Sequence, residues 1–338
     1  MAVGAPTESR TAFGNVLRVT ARYGITFPFD DISLPDQRAI VEPLADLGYT
    51  DLWSAESNGY DGFTPLALAS VWAPTLRLGV AIIPVYTRGP ATLAMCAGSL
   101  AAAAPGRFVL GIGTSSNVIV ENWNSTPFDA PYAKVRDTLD FLKKAMTGEK
   151  VTETYETFAV KGFRMGFAPP VPPTVLVAAL RPGMLRLAGR ESDGAITNWL
   201  APKDAPAVAA ALAEGGPAKE LAARIFVAPT DDVDMARAVG RFAIAAYLTV
   251  PVYRAFHEWL GRGELMAPMQ EAWAAGDRKA ALAAIPDELV DDLVVHGAPA
   301  ACRERIGEYV ENGITTPVLA VLPVGVDAAT AVRELAPR

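Results

Sequence analysis

Apolar runs of strand length alternate with longer amphipathic or alanine-rich stretches over most of the chain. "YGITFP" (23–28), "TDLWSAE" (50–56), "LRLGVAII" (76–83) and "RFVLGIG" (107–113) are short and rich in β-branched or aromatic residues, which predicts buried strands. Helical sequence follows each of them. "SLPDQRAIVEPLADLG" follows the first, with Ser33 and Asp36 at capping-box spacing and a kink expected at Pro43. "DAPYAKVRDTLDFLKKAMTG" follows the fourth and carries Tyr132, Val135, Leu139, Leu142 and Met146 on one stripe. "TVLVAAL" (174–180), "GAITNWL" (194–200), "ARIFVAP" (223–229) and "TPVLAVLP" (316–323) supply four more strands. The segment from about 231 to 310, with "MARAVGRFAIAAYL" and "VYRAFHEWLG", holds more helix than one crossover requires.

Eight alternations of strand and helix predict an α/β fold of the (β/α)8 TIM-barrel type with an insertion after the seventh strand. A doubly wound open sheet would carry a glycine-rich phosphate turn after its first strand, and "FPFDDISLPD" there contains no glycine. Residues 1–20 read as a loose N-terminal tail. That leaves 21–338 as a single barrel with a helical insertion at about 231–310.

Composition narrows the function classes. The net charge of −7, with Lys and Arg scattered, argues against a nucleic-acid surface. Apolar runs all fall short of the roughly 18 residues a membrane helix needs, so a cytoplasmic protein acting on a small molecule is expected. Only Cys96 and Cys302 are present, which gives no disulfide framework and no thiolate zinc site. With His257 and His296 as the sole histidines, neither a His-rich metal site nor a Ser/His/Asp relay is expected. The chemistry then belongs to a cofactor.

In such barrels the active site lies at the C-terminal strand ends. There the second strand offers Glu56 and Ser57, and the third leads into Arg88. "GIGTSSN" gives Gly113, Thr114, Ser115 and Asn117, where glycine permits close approach and hydroxyls can bond phosphate. "AALRPG" gives Ala178, Ala179, Leu180, Arg181, Pro182 and Gly183 where a helix begins, a place suited to an anion. Asn198 and Trp199 end the sixth strand and are expected to face substrate. Glu56 has two readings, an acid at the site or an ion-pair partner of Arg88, and Trp199 has a second reading as rim packing.

The stretches "YTRGPATLA", "GRFVLGIGTSS", "VENWNSTPFDAPYAKVRDTLDFLKKAMTGE" and "LRPGMLRLAGRESDGAITNWL" resemble bacterial luciferase-like flavin and deazaflavin oxidoreductases. Within that superfamily they are closer to the branch that uses coenzyme F420. The resemblance runs from about Tyr23 to Val324. It implies a bulge with a non-prolyl cis peptide at Ala81–Ile82, against which the cofactor ring leans, and an anchoring role for the two phosphate-ready turns. The family commonly places an Asp-His-like pair where this chain has Glu56-Ser57, so the proton donor differs here.

The resemblance implies hydride transfer between the deazaflavin C5 and a small organic substrate, a homodimer, and a partner enzyme that reduces the cofactor. Two alternatives stay open: an FMN-dependent monooxygenase supplied by a flavin reductase, and a non-catalytic flavin-binding barrel whose residues 231–295 mediate assembly.

Overall fold

The computed structural model describes residues 22–217, 219–322 and 324–337 of the 338. The tail expected at 1–20 lies outside the described residues. Eleven strands form in chain order: β1 (Gly24–Thr26), β2 (Asp51–Ser54), β3 (Arg77–Pro84), β4 (Phe108–Gly113), β5 (Val151–Thr154), β6 (Ala159–Phe163), β7 (Thr174–Ala178), β8 (Gly194–Asn198), β9 (Glu220–Ala228), β10 (Val294–His296) and β11 (Thr316–Val321). Parallel pairing runs β1-β2-β3-β4-β7-β8-β9-β11 and returns from β11 to β1, which closes an eight-stranded barrel. Helices pack around it, as in a TIM barrel.

The barrel interior is filled from alternate strand positions. Trp53, Val109, Leu176, Ile196, Ala222 and Val318 form an inner core, with Ala81 and Ile82 packed above it. Trp53 is fully buried, and a Cβ on Gly79 of the neighbouring strand would overlap its indole ring. One large ring thus takes the volume that two ordinary side chains would share.

At the N-terminal strand ends, Arg77 ties the barrel floor together. It pairs with Asp51, and its Nη2 lies 2.5 Å from Glu220, whose Oε1 also accepts from Thr316 Oγ1 at 2.6 Å. Burial alone would raise the Glu220 pKa, but hydrogen bonds from Arg77 hold it below the usual carboxylate range. The Arg77 guanidinium also stands 5.6 Å from the Trp53 ring centroid.

Two parts of the fold lie beyond what the hydrophobic pattern predicts. One is the antiparallel hairpin β5–β6, whose Tyr155, Phe158 and Phe163 surround Phe141 of the helix Pro131–Ala145. The other is β10, the short "VVH" stretch, which pairs with the last residues of β9.

The chain between β9 and β10 folds into helices Val233–Leu248, Pro251–Trp259, Gly263–Ala274, Arg278–Ala283 and Asp287–Leu293. Their apolar faces make a second core with Trp199, Phe226 and Ala320, so this segment sits over the C-terminal ends of β8, β9 and β11. Among the described residues no single helix is long and apolar enough to cross a membrane.

Candidate active site

The mouth of the barrel is shaped by an irregularity in β3. Its pairing with β4 jumps from Val80↔Leu110 to Ile83↔Ile112, and the Ala81–Ile82 peptide bond is cis. The two side chains are therefore both partly exposed at the top of the inner core. Beside them, the glycines of "GIG" have a packing reason. A Cβ on Gly111 would overlap the Val80 carbonyl oxygen, and one on Gly113 would lie 2.7 Å from Ala178 Cβ and 3.3 Å from Ile82. No side chain fits where the bulge presses on β4.

Glu56 and Arg88 are brought together as an ion pair, the second of the two readings of Glu56. Glu56 Oε1 pairs with the Arg88 guanidinium, and Oε2 accepts the Gly62 N–H at 2.9 Å. Arg88 also lies 5.3 Å from the Phe63 ring centroid. Both side chains are mostly buried, at 15% and 18% exposure. Asp61 of the same loop accepts from the N–H groups of Phe63 and Thr64 at 2.9 and 3.0 Å, which starts the helix Thr64–Trp72. Burial would raise the Asp61 pKa, yet these bonds hold it below the usual range. Ser57 is exposed, and its hydroxyl reaches only Asn58.

The two anion-ready turns lie side by side, because β4 pairs with β7 up to Ile112↔Val177. Ser115 adopts a left-handed conformation with φ 61°. Thr114 and Ser115 are half-buried, whereas Asn117 is exposed. At the second turn Ala179 is buried and donates its N–H to the Ile196 carbonyl, so it serves the barrel itself. Arg181 is exposed and precedes the ten-residue helix Pro182–Glu191, and a Cβ on Gly183 would meet nothing within 4 Å. Backbone can thus be approached closely at this helix start.

After the next strand, β8, the insertion changes the picture at Trp199. The residue does not reach the mouth: it is 1% exposed and stacks on Phe226 at 4.0 Å, with Tyr247 at 5.3 Å. Helices of the insertion cover it, which the rim reading did not include. Asn198 remains half-buried, and its Oδ1 accepts from the Tyr253 hydroxyl at 3.1 Å. Burial raises the Tyr253 pKa to about 12, so this hydroxyl keeps its proton and its donor role.

Sequence reasoning missed Thr26, Trp53 and Arg224, which line the cavity below the mouth together with Ala81 and Ile196. A signal was present for Arg224. It is the sole charged residue within the apolar run "ARIFVAP".

A luciferase-like monooxygenase family model matches residues 16–316. The chain belongs to the luciferase-like monooxygenase family. Among curated luciferase-like relatives, a 5,10-methylenetetrahydromethanopterin reductase of Archaeoglobus fulgidus is 26% identical over 319 residues, covering 90% of this chain and 95% of that protein. A putative coenzyme F420-dependent oxidoreductase of Mycobacterium tuberculosis is 27% identical over 333 residues, covering 88% and 92%. Among solved structures, the coenzyme F420-dependent tetrahydromethanopterin reductase of Methanopyrus kandleri superposes with a TM-score of 0.76 at 20% identity, covering 94% of this chain and 97% of that one. The FMN-bound oxygenating constituent of 3,6-diketocamphane monooxygenase from Pseudomonas putida shares the fold at a TM-score of 0.65 and 16% identity, covering 94% and 97%.

Proposed function

We infer that this luciferase-like protein is a coenzyme F420-dependent oxidoreductase that moves a hydride between the deazaflavin C5 and a small organic substrate. The observation that carries the reading is the placement of two turns with approachable backbone, after β4 and β7, directly beside the apolar bulge of β3. An elongated cofactor with a flat ring and a phosphate fits that arrangement. The name of the Mycobacterium tuberculosis relative supports the F420 branch over the FMN branch.

When bound, the cofactor supplies or accepts the hydride at C5. The residues of the chain do the rest. Ala81 and Ile82 support one ring face. Backbone N–H groups at Gly113-Thr114-Ser115 and of Gly183, next to Pro182, which has no N–H to give, hold the phosphate, with Asn117 at the edge of the first turn and Arg181 adding charge. Ala178 and Leu180 border the second turn, and Asn198 stands on the substrate side. The insertion closes that side against water, which favours transfer between carbons held about 3–3.5 Å apart. We assign Glu56 and Arg88 to holding the 55–63 loop, since both carboxylate oxygens are engaged.

Calorimetric titration with coenzyme F420 and with FMN tests the reading, followed by turnover of reduced F420 under strictly anaerobic conditions. F420 should bind at least about tenfold tighter than FMN, and its oxidation by an acceptor should need no oxygen. Preference for reduced FMN with an absolute need for oxygen would establish the monooxygenase reading instead. Binding without turnover of any acceptor would leave a carrier barrel.

A further inference from the structure

Three polar atoms beneath the mouth are buried without a hydrogen-bond partner: Thr26 Oγ1, Trp53 Nε1 and Arg224 Nε. Their residues line one cavity, together with Ala81 of the bulge. All three can donate a hydrogen bond, and leaving such groups unsatisfied is costly, most of all for the charged one. Arg224 makes the case sharper. Its guanidinium lies 4.9 Å from the Phe226 ring centroid, and one nitrogen reaches the Tyr247 hydroxyl at 3.5 Å, so neither neighbour offers a negative charge. Elsewhere in the molecule Arg77, Arg88 and Arg262 are each buried against carboxylates. Arg224 has no such partner among the described residues.

Topology says what faces this guanidinium. Counting along the closed barrel, β9 is four strands from β3 in either direction, so Arg224 stands across the lumen from Ala81 and Ile82. A ring supported on the bulge turns its open face toward Arg224.

We propose that Arg224 is the specificity-determining residue of the substrate pocket, with Trp53 and Thr26 as auxiliary donors, and that the substrate is a small organic molecule bearing a carboxylate or an equivalent oxyanion. The oxyanion supplies the missing counter-charge and accepts from the guanidinium and the indole N–H. The cavity has room for little more than one water-sized group, so the oxyanion alone enters it and the carbon skeleton stays at the mouth beside Ala81. The assignment of Arg224 to the substrate face rests on the cofactor reading above; the anion preference of the cavity does not.

The test is calorimetric titration of the protein, with and without F420, using acetate, propionate and benzoate against acetamide, propionamide and benzamide. Carboxylates should bind at least about tenfold tighter than the amides. Arg224→Gln should abolish that preference with F420 affinity essentially unchanged, and Arg224→Lys should retain part of it. Thermal melting of each variant checks folding, and Thr26→Val, which weakens carboxylate binding without altering charge, covers a failure of the arginine variants to fold. Equal binding of carboxylates and amides by the wild type overturns the proposal. So does an Arg224→Gln protein that keeps the preference, or one that loses F420 and carboxylate in parallel, since Arg224 would then serve the cofactor. A protein that binds FMN rather than F420 but still prefers carboxylates when cofactor-free overturns the functional reading alone.

Discussion

His257 has no solvent exposure. Burial and the nearby Arg262 charge push its pKa down to about 3. The folded protein therefore keeps this ring neutral, while the unfolded chain takes up a proton near pH 6.5. Its contribution is intact above that pH and is lost as pH falls toward 3, with a slope of at most about 1.4 kcal/mol per pH unit. The depressed carboxylates Asp61, Asp137, Glu220, Asp291 and Asp327 act lower, below their ordinary values of 3.8 to 4.5. Urea midpoints between pH 7 and 5 should thus fall in the wild type and flatten in His257→Gln. A second residue-scale prediction concerns the pair at the mouth. Glu56→Gln leaves the mostly buried Arg88 without its partner and should lower stability by about 2 kcal/mol. Single-turnover hydride transfer at saturating cofactor should remain near normal, and a large loss there would restore Glu56 as the acid.

At the scale of elements, β3 and β4 are held by shape. Gly111→Ala puts a methyl group onto the Val80 carbonyl, a backbone atom that cannot swing aside. The cost should be about 3 kcal/mol or more, visible as a large drop in melting temperature. Gly183→Ala is the contrast: the space there is open, so stability should stay within about 0.5 kcal/mol while F420 affinity falls. Loss of stability without loss of affinity would move the phosphate elsewhere. The eight barrel strands were legible in the sequence because most of their positions are buried on both faces and read as short, mainly apolar runs. The hairpin was not: "VTETYETFAVKGF" is polar on its outer face and buries aromatic side chains against one helix only. The glycines of "GIG" were visible, but their reason was not, since it lies in a bulge on the neighbouring strand. Trp199 reads as a rim residue from its strand, and only the insertion, distant in sequence, explains its burial.

Across the whole molecule the two barrel ends divide the work. The floor is ionic, with Arg77 bridging Asp51 and Glu220, whereas the mouth carries the bulge, the turns and the unpartnered donors. Arg77→Met leaves Glu220 without the guanidinium that both its oxygens bind and leaves Asp51 to the more exposed Arg22, and should cost about 3 kcal/mol, read by denaturant titration. Cofactor affinity of the folded fraction should not change. Trp53 connects the two ends, its ring near Arg77 below and its side chain among those that line the cavity above. Of the six tryptophans, it alone lines that cavity among the described residues. The protein therefore carries an intrinsic optical probe: light absorbed by this indole will be drained by any chromophore seated at the mouth, so fluorescence quenching reports ligand arrival without a label.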